Sequence, residues 1–377
     1  MLSHIERSCP YSARRPCTGL SHAQEFAMPS PHTRTRRPRC RALSLLLLAA
    51  MPLAQAQGTY GLKYAGVNLS GAEVNSSQQP GVLDIDYHYP AADEYTYFAG
   101  KYMNTVRLPI LWERLQPKPG GQLDPAQLAL IREAVANAKA AKMYLIVDVH
   151  NYAKYYGHTI GSTNVPIRTF NDLWRRLAIA FKSDKAVIFG LMNEPHDIEP
   201  QAWATAAQAS IDTIRKTGAT NLILVPGALW TGAHSWYSTV AGQSNAVAMA
   251  SIHDPLNRYA IEAHQYLDAD SSGTSGACVS ATVGVERLRS FTQWLRLNGK
   301  RGFLGEFGTG KTVTCNLALK GMLGYMESNS DVWMGWAYWA AGTWWNRGYP
   351  FNVQPDAQGR DKPQMSILSQ QAHRITD

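Results

Sequence analysis

Cysteine is scarce in this 377-residue chain, and three of its five cysteines (Cys9, Cys17 and Cys40) lie before residue 57. Only Cys278 and Cys315 remain beyond that point. Neither sits in a CxxC pair or beside a spaced His pair, so no metal site is expected. Long apolar runs are missing too. The longest, within Ala42–Ala50, is too short to span a bilayer as a stable anchor. No Pro/Thr/Ser-rich linker and no internal repeat divides the chain, which excludes a multi-domain array. An excess of positive charge is also absent from most of the chain. The formal net charge of +8 arises largely before residue 57, and residues 57–377 carry only +2. Nothing therefore calls for nucleic acid or an acidic partner.

The first 56 residues have the order of a secretory leader. Arg34–Arg41 is basic, Ala42–Ala50 is the apolar core, and Ala54-Gln55-Ala56 is the small-x-small pattern that a signal peptidase reads. Cleavage after Ala56 is expected, with Met28 as an alternative translation start. Residues 57–377 then form one soluble, exported domain, periplasmic or extracellular. The pair Cys278 and Cys315, an even count in an oxidising compartment, is expected to form a disulfide. Two free thiols are the alternative that thiol labelling of the denatured, unreduced protein would reveal.

Along residues 57–377, short apolar runs alternate with helical patterns, as in βα units around a parallel sheet. Eight strands are expected: Lys63–Leu69, Thr105–Pro109, Tyr144–Asp148, Val187–Met192, Leu222–Val225, Ala260–His264, Gly302–Gly305 and Val332–Tyr338. Helical stretches between them include Pro125–Ala141, Phe170–Phe181, Pro200–Lys216 and Val283–Leu297. Asp124-Pro125 opens the first of these, and Asn171-Asp172 is read as opening the second. The fold class expected is α/β, a single-domain (β/α)8 TIM barrel.

Two of the apolar runs stop at a carboxylate. Glu194 ends Val187-Ile-Phe-Gly-Leu-Met-Asn-Glu-Pro195, and Glu306 ends Gly302-Phe-Leu-Gly-Glu-Phe-Gly308. Other strands end in Arg107, His150, His264 with Tyr266, and Trp339. Such groups concentrate on the C-terminal rim of a barrel when that rim is an active site. Two carboxylates on one rim are the equipment of retaining glycoside hydrolysis, with the carboxyls about 5–5.5 Å apart.

The motifs Gly66-Val-Asn-Leu-Ser-Gly71, Met103-Asn-Thr-Val-Arg-Leu-Pro109, Trp112-Glu-Arg-Leu-Gln-Pro117, Asp148-Val-His-Asn-Tyr152, Leu191-Met-Asn-Glu-Pro195 and Phe303-Leu-Gly-Glu-Phe-Gly308 follow one another in order. On these residues the chain resembles glycoside hydrolase family 5, and within it the endo-β-1,4-glucanase (cellulase) branch. The resemblance implies Glu194 as general acid/base and Glu306 as nucleophile. It also implies Asn193 at the sugar 2-hydroxyl, with Arg107, His150, His264, Tyr266 and Trp339 as the remaining active-site positions.

Chemically, Arg107 and Tyr266 are expected to hold Glu306 ionised, and Glu194 to be the poorly solvated, proton-bearing partner. His150 and His264 are read as groups that bind substrate hydroxyls or tune Glu194, with a purely structural strand-end role as the alternative. Trp112, Tyr155, Tyr156, Trp230, Trp236, Trp339, Trp344 and Trp345 follow strand ends, where flat rings stack on sugar faces. Trp339 is expected as the floor under the cleaved sugar and Trp230 in a neighbouring subsite. Trp236, Trp344 and Trp345 suit core or loop packing equally well.

The function expected is a secreted, monomeric endo-β-1,4-glucanase acting on β-glucan polysaccharide, with no cofactor, metal, nucleic acid or membrane anchor. The alternatives are the same chemistry on mannan, xyloglucan or mixed-linkage glucan, and a non-catalytic carbohydrate-binding barrel.

Overall fold

A computed structural model describes residues 61–346 and 348–376. The leader and its cleavage point lie outside the described residues. Eight parallel strands close into a barrel: β1 (Tyr64–Leu69), β2 (Thr105–Ile110), β3 (Tyr144–Val149), β4 (Val187–Gly190), β5 (Ile223–Pro226), β6 (Tyr259–His264), β7 (Gly302–Glu306) and β8 (Trp333–Ala341). β1 closes the ring by pairing with both β2 and β8. The (β/α)8 architecture expected from the alternation of patterns is the one observed.

Around it run α1 (Ala92–Ala99), α2 (Pro125–Ala140), α3 (Ile167–Phe181), α4 (Pro200–Lys216), α5 (Val283–Leu297), α6 (Val313–Ser328) and α7 (Met365–Thr376). After β5 the outer layer is made instead by short helical turns at Leu229–Thr231, Asn245–Ala248 and Met249–Ser251. Among the described residues no helix is long and apolar enough to cross a membrane. Asp124 caps α2, accepting from the backbone N–H groups of Ala126 and Gln127, with Pro125 in the first turn.

The start of α3 differs from the sequence reading. The helix begins at Ile167 behind Pro166, not at Asn171-Asp172. Those two side chains have other partners: Asn171 accepts from Ser210, and Asp172 holds Gln116 across elements as well as Arg175 and Arg176 within the helix. A polar pair that looks like a cap can equally be an anchor between elements.

The barrel interior changes character from base to rim. At its base, Ile146, Ile188, Leu224, Ala260, Phe303 and Met334 form an apolar plug. Period-2 alternation then carries the same inward face upward, from Ile146 to Asp148 to His150 on β3 and from Ala260 to Glu262 to His264 on β6. Apolar residues give way to acids, and acids to imidazoles, along one face of each strand. This gradient sets the cleft on a rigid, charged layer.

Candidate active site

Arg107, on β2, occupies the centre of that charged layer and is completely buried. Its guanidinium donates to Asn68, Glu306 and Asn193, each at 2.9 Å. It also lies 3.1 Å from both Asp148 and Glu262, at ion-pair distance without hydrogen-bond alignment. Burial disfavours its charge, but the surrounding carboxylates of Asp148, Glu262 and Glu306 outweigh that and raise its pKa further. Removing a buried cation with several anionic partners would leave those anions uncompensated.

Two local devices deliver Glu306. The β6–β7 pairing shifts register so that His264 aligns with Glu306, a bulge that re-aims the side chain. Residue 305 must also be glycine, because a Cβ there would stand 2.0 Å from the Glu262 carboxylate. Glu306 then accepts from Arg107 through Oε1 and from the Tyr266 hydroxyl through Oε2 at 2.8 Å. Tyr266 is backed by Phe351, stacked at 5.8 Å.

Glu194 leaves the end of β4 at a left-handed backbone position, φ 41°. The backbone N–H of the preceding Asn193 bonds to Val149, and its carbonyl accepts from Tyr152. Non-glycine residues at positive φ also occur nearby at Tyr152, Ala153, Asp197 and Leu229–Thr231, a clustering of backbone strain at this rim. The Glu194 carboxylate meets His264 Nδ1 at 2.9 Å, while His264 Nε2 faces Glu262 at 3.3 Å. One oxygen of Glu194, one of Glu306 and a ring nitrogen of His264 all lie within 4.8 Å of one another.

The electrostatics depart from the sequence expectation. The Glu194 side chain is 17% exposed and that of Glu306 only 5%, so Glu194 is the better solvated of the two. Burial pushes the Glu306 carboxyl up and prevails over the opposing positive charge of His264 and Arg107, so its pKa is raised rather than held down as the sequence suggested. Burial alone would lower the His264 pKa. The Glu306 carboxylate and the bonds to Glu194 and Glu262 outweigh it and push His264 up to about 10. Both ring nitrogens face acceptors, so the imidazolium donates at each.

His150 rests on Asp148 through Nδ1 at 2.8 Å and stacks on Trp339 at 5.5 Å, 17° from parallel. Burial works against a charge on His150, while the hydrogen bond to Asp148 wins and raises its pKa. The cleft has two lobes that meet at Tyr152. One, of about 610 Å³, is lined by His150 and Trp339; the other, of about 730 Å³, by Glu194, His264, Tyr266 and Trp230.

Trp230 is 50% exposed, stacks on His196 at 4.8 Å and lines the same lobe as Glu194. Tyr156 is exposed and lines the lobe of His150 and Trp339, whereas the remaining candidate aromatics do not line either lobe. Trp112, Tyr155 and Trp236 are buried in the core, and Trp345 packs edge-on behind Trp339. Trp344 stacks on His88.

The sequence reading passed over Asn68, Asp148, Glu262 and His196. An acid two residues before a strand-end histidine, as in Asp148/His150 and Glu262/His264, was the available signal, because period 2 puts both on one face. Cys278 and Cys315 form the expected disulfide, with Cα atoms 5.3 Å apart. It ties the β6–α5 loop to the first turn of α6.

Residues 64–342 match the family model for cellulase, glycosyl hydrolase family 5. A solved endo-β-1,4-glucanase from Xanthomonas axonopodis pv. citri is 90% identical, covering 84% of this chain and 100% of that one, with a TM-score of 0.84. The structure of XacCel5A in complex with cellopentaose is 61% identical over 82% of this chain and 99% of that one, with a TM-score of 0.81. Endo-β-1,4-glucanase B of Emericella nidulans is 38% identical over 81% of this chain and 90% of its own length.

Proposed function

The chain belongs to glycosyl hydrolase family 5, and we propose that it is an endo-β-1,4-glucanase working by double displacement with net retention. The observation that carries the mechanism is the carboxyl pair itself, Glu194 and Glu306, with oxygens within 4.8 Å across His264. That spacing leaves no room for a water between nucleophile and sugar, as inversion requires, and suits direct attack by a carboxylate. The substrate rests on relatives: endo-β-1,4-glucanases align along most of the chain, and one is solved with cellopentaose.

In the first step a Glu306 oxygen forms a bond to the anomeric carbon as the glycosidic C–O bond breaks. The proton of Glu194 passes to the leaving oxygen. Glu306 becomes a neutral ester, so its negative charge no longer acts on His264 and Glu194. In the second step Glu194, now a carboxylate, takes a proton from water, whose oxygen bonds to the anomeric carbon and releases Glu306. His264 Nδ1 stands 2.9 Å from the Glu194 carboxylate, close enough to return a proton to it between turnovers. Burial of Glu194 is therefore not needed for its role. Arg107 and Tyr266 hold the attacking carboxylate in place, and Asn193 presents an amide to the sugar.

Reducing-end release from carboxymethyl cellulose, β-mannan, xyloglucan and mixed-linkage glucan tests the reading, with Glu306→Gln run beside the wild type. Fastest release from carboxymethyl cellulose, abolished in the variant, is expected. Preference for another polymer would overturn the substrate and keep the mechanism. Export rests on the basic segment, apolar core and Ala54-Gln55-Ala56 of the leader. A secreted protein starting at Gln57 would support it, and one retaining the leader would sink it.

A further inference from the structure

Tyr266 holds one oxygen of the Glu306 carboxylate, yet no strand fixes its own ring. β6 ends at His264, so Tyr266 already belongs to the loop that follows. Glu306 Oε2 accepts from the Tyr266 hydroxyl at 2.8 Å, whereas His264 Nδ1 stands 3.6 Å from that oxygen, beyond hydrogen-bond reach. Where the phenol lies therefore decides how well Oε2 is held. Burial and the Glu306 charge raise the phenol pKa well above its usual range, so it donates as a neutral O–H.

The loop that begins at Tyr266 folds back onto it. Buried Asp268 gathers the turn: Oδ1 accepts the Gly273 backbone N–H at 3.2 Å, and Oδ2 accepts those of Thr274 and Ser275 at 3.0 and 3.1 Å. The Ser272 hydroxyl adds a further bond to Oδ2 at 3.2 Å. Arg287 of α5 donates to the carbonyls of Tyr266 and Ala269 at 2.7 and 3.3 Å, and the Gln265 amide donates to the Tyr266 carbonyl and the Ser271 hydroxyl.

Closed in this way, the turn brings Gly273 against the residue that opened it. A Cβ at Gly273 would stand 2.8–2.9 Å from three adjacent carbons of the Tyr266 ring. Near-equal distances to three neighbours put that point over the ring face, where carbon contacts relax only at about 3.5–4.0 Å. Phe351 also stacks on the ring, at 5.8 Å. Only a hydrogen fits at residue 273 while the ring keeps its place.

We propose that Gly273, carried by the turn that Asp268 clasps, is a positioning residue for the nucleophile: its bare backbone seats the Tyr266 ring so that the hydroxyl meets Glu306, a role that rests on Glu306 being the nucleophile. The charged groups facing Glu306 are Arg107, His264, Glu194 and His150. Gly273 carries no charge, so its effect on Glu306 passes through the phenol.

The pH dependence of kcat/KM for cellopentaose tests this in Gly273→Ala, with Gly218→Ala as the control. Both glycines are left-handed, at φ 72° and 82°, but a Cβ at Gly218 meets nothing within 4 Å. The Tyr266 hydrogen bond favours the ionised carboxylate, so displacing the phenol raises the Glu306 pKa. The acid limb should move up by at least about half a pH unit and the plateau fall about tenfold in Gly273→Ala, and neither should change in Gly218→Ala. In a Tyr266→Phe background the same Gly273→Ala should cost less than about twofold, because the hydroxyl is already gone. Asp268→Asn, which puts no new atom against the ring, decides the matter should Gly273→Ala not fold. Loosening the turn moves the limb up, whereas loss of a negative charge alone would move it down. A downward move there, a Gly273→Ala that matches Gly218→Ala, or equal losses with and without the hydroxyl overturns the inference alone, provided Tyr266→Phe is itself impaired. A Tyr266→Phe with the wild-type rate and limb overturns the hold of Tyr266 on the nucleophile, and the inference with it.

Discussion

At the scale of single residues, the site is organised by one buried cation with several anionic partners and one histidine that faces two carboxylates. Arg107 stands within 3.1 Å of Asp148, Glu262 and Glu306, so each of these buried acids depends on it. His264 meets Glu194 at 2.9 Å through one ring nitrogen and faces Glu262 at 3.3 Å through the other. Glu194→Gln should lower the turnover of polymer by about 10²–10⁴-fold. With an aryl cellobioside whose leaving group needs no proton, the first step should survive in that variant. An equal loss on both substrates would deny Glu194 its role as acid. His264 also links the site to stability. Its folded pKa, about 10, lies above the unfolded value of roughly 6.5, so its contribution is complete below about pH 6.5 and is lost as pH rises towards 10. The unfolding temperature of wild type should therefore fall across that window, and His264→Gln should flatten the fall. His150, raised in the same direction, leaves a residual slope. Identical slopes would contradict the assignment. Glu194, Glu306, Arg107, His150, His264 and Tyr266 were legible in the sequence because each interrupts or ends an apolar run. Which carboxylate is the more solvated was not legible, since that depends on a bulge and on a histidine 70 residues away.

At the scale of elements, strands were legible to within about two or three residues, because each is an apolar run flanked by polar turns. The start of α3 was not, since Asp172 serves Arg175, Arg176 and Gln116 instead of a helix end. The loop after β1 shows how an element borrows its shape. Arg114, in the short helical turn Trp112–Leu115, donates to the carbonyls of Pro80, Ala72, Val74 and Asn75 and lies over the Tyr87 ring. Glu73 to Ser77, which line one lobe of the cleft, are thus tied by this guanidinium, together with the bonds of Glu73 to Ser70 and Gly71 and of Asn75 to Asp86. Arg114→Lys, which cannot span the same fork, should raise the KM for cellopentaose more than it lowers kcat. A fall in kcat at constant KM would contradict this. The disulfide ties the loop after β6, whose Asp270 to Ser272 line the second lobe, to α6, and Cys278→Ser/Cys315→Ser should cost about 2–4 kcal/mol in denaturant unfolding. No change in stability would mean the loop is held without it.

At the scale of the molecule, the barrel is polarised along its axis. Its base is ringed by cations, its interior begins apolar, and its rim is acidic and aromatic. Eight alternations of pattern made the architecture legible. The division of the cleft into two lobes around Tyr152 was not, because it arises from loops that no periodicity describes. The central claim is that Glu306 attacks the sugar directly while Glu194 manages the proton. Proton NMR of cellopentaose hydrolysis in its first minutes, before mutarotation, tests it most directly. The account predicts that the β-anomer of the new reducing end appears first and the α-anomer only later. Initial release of the α-anomer would mean inversion, with a water between the sugar and the carboxylate, and would contradict the account.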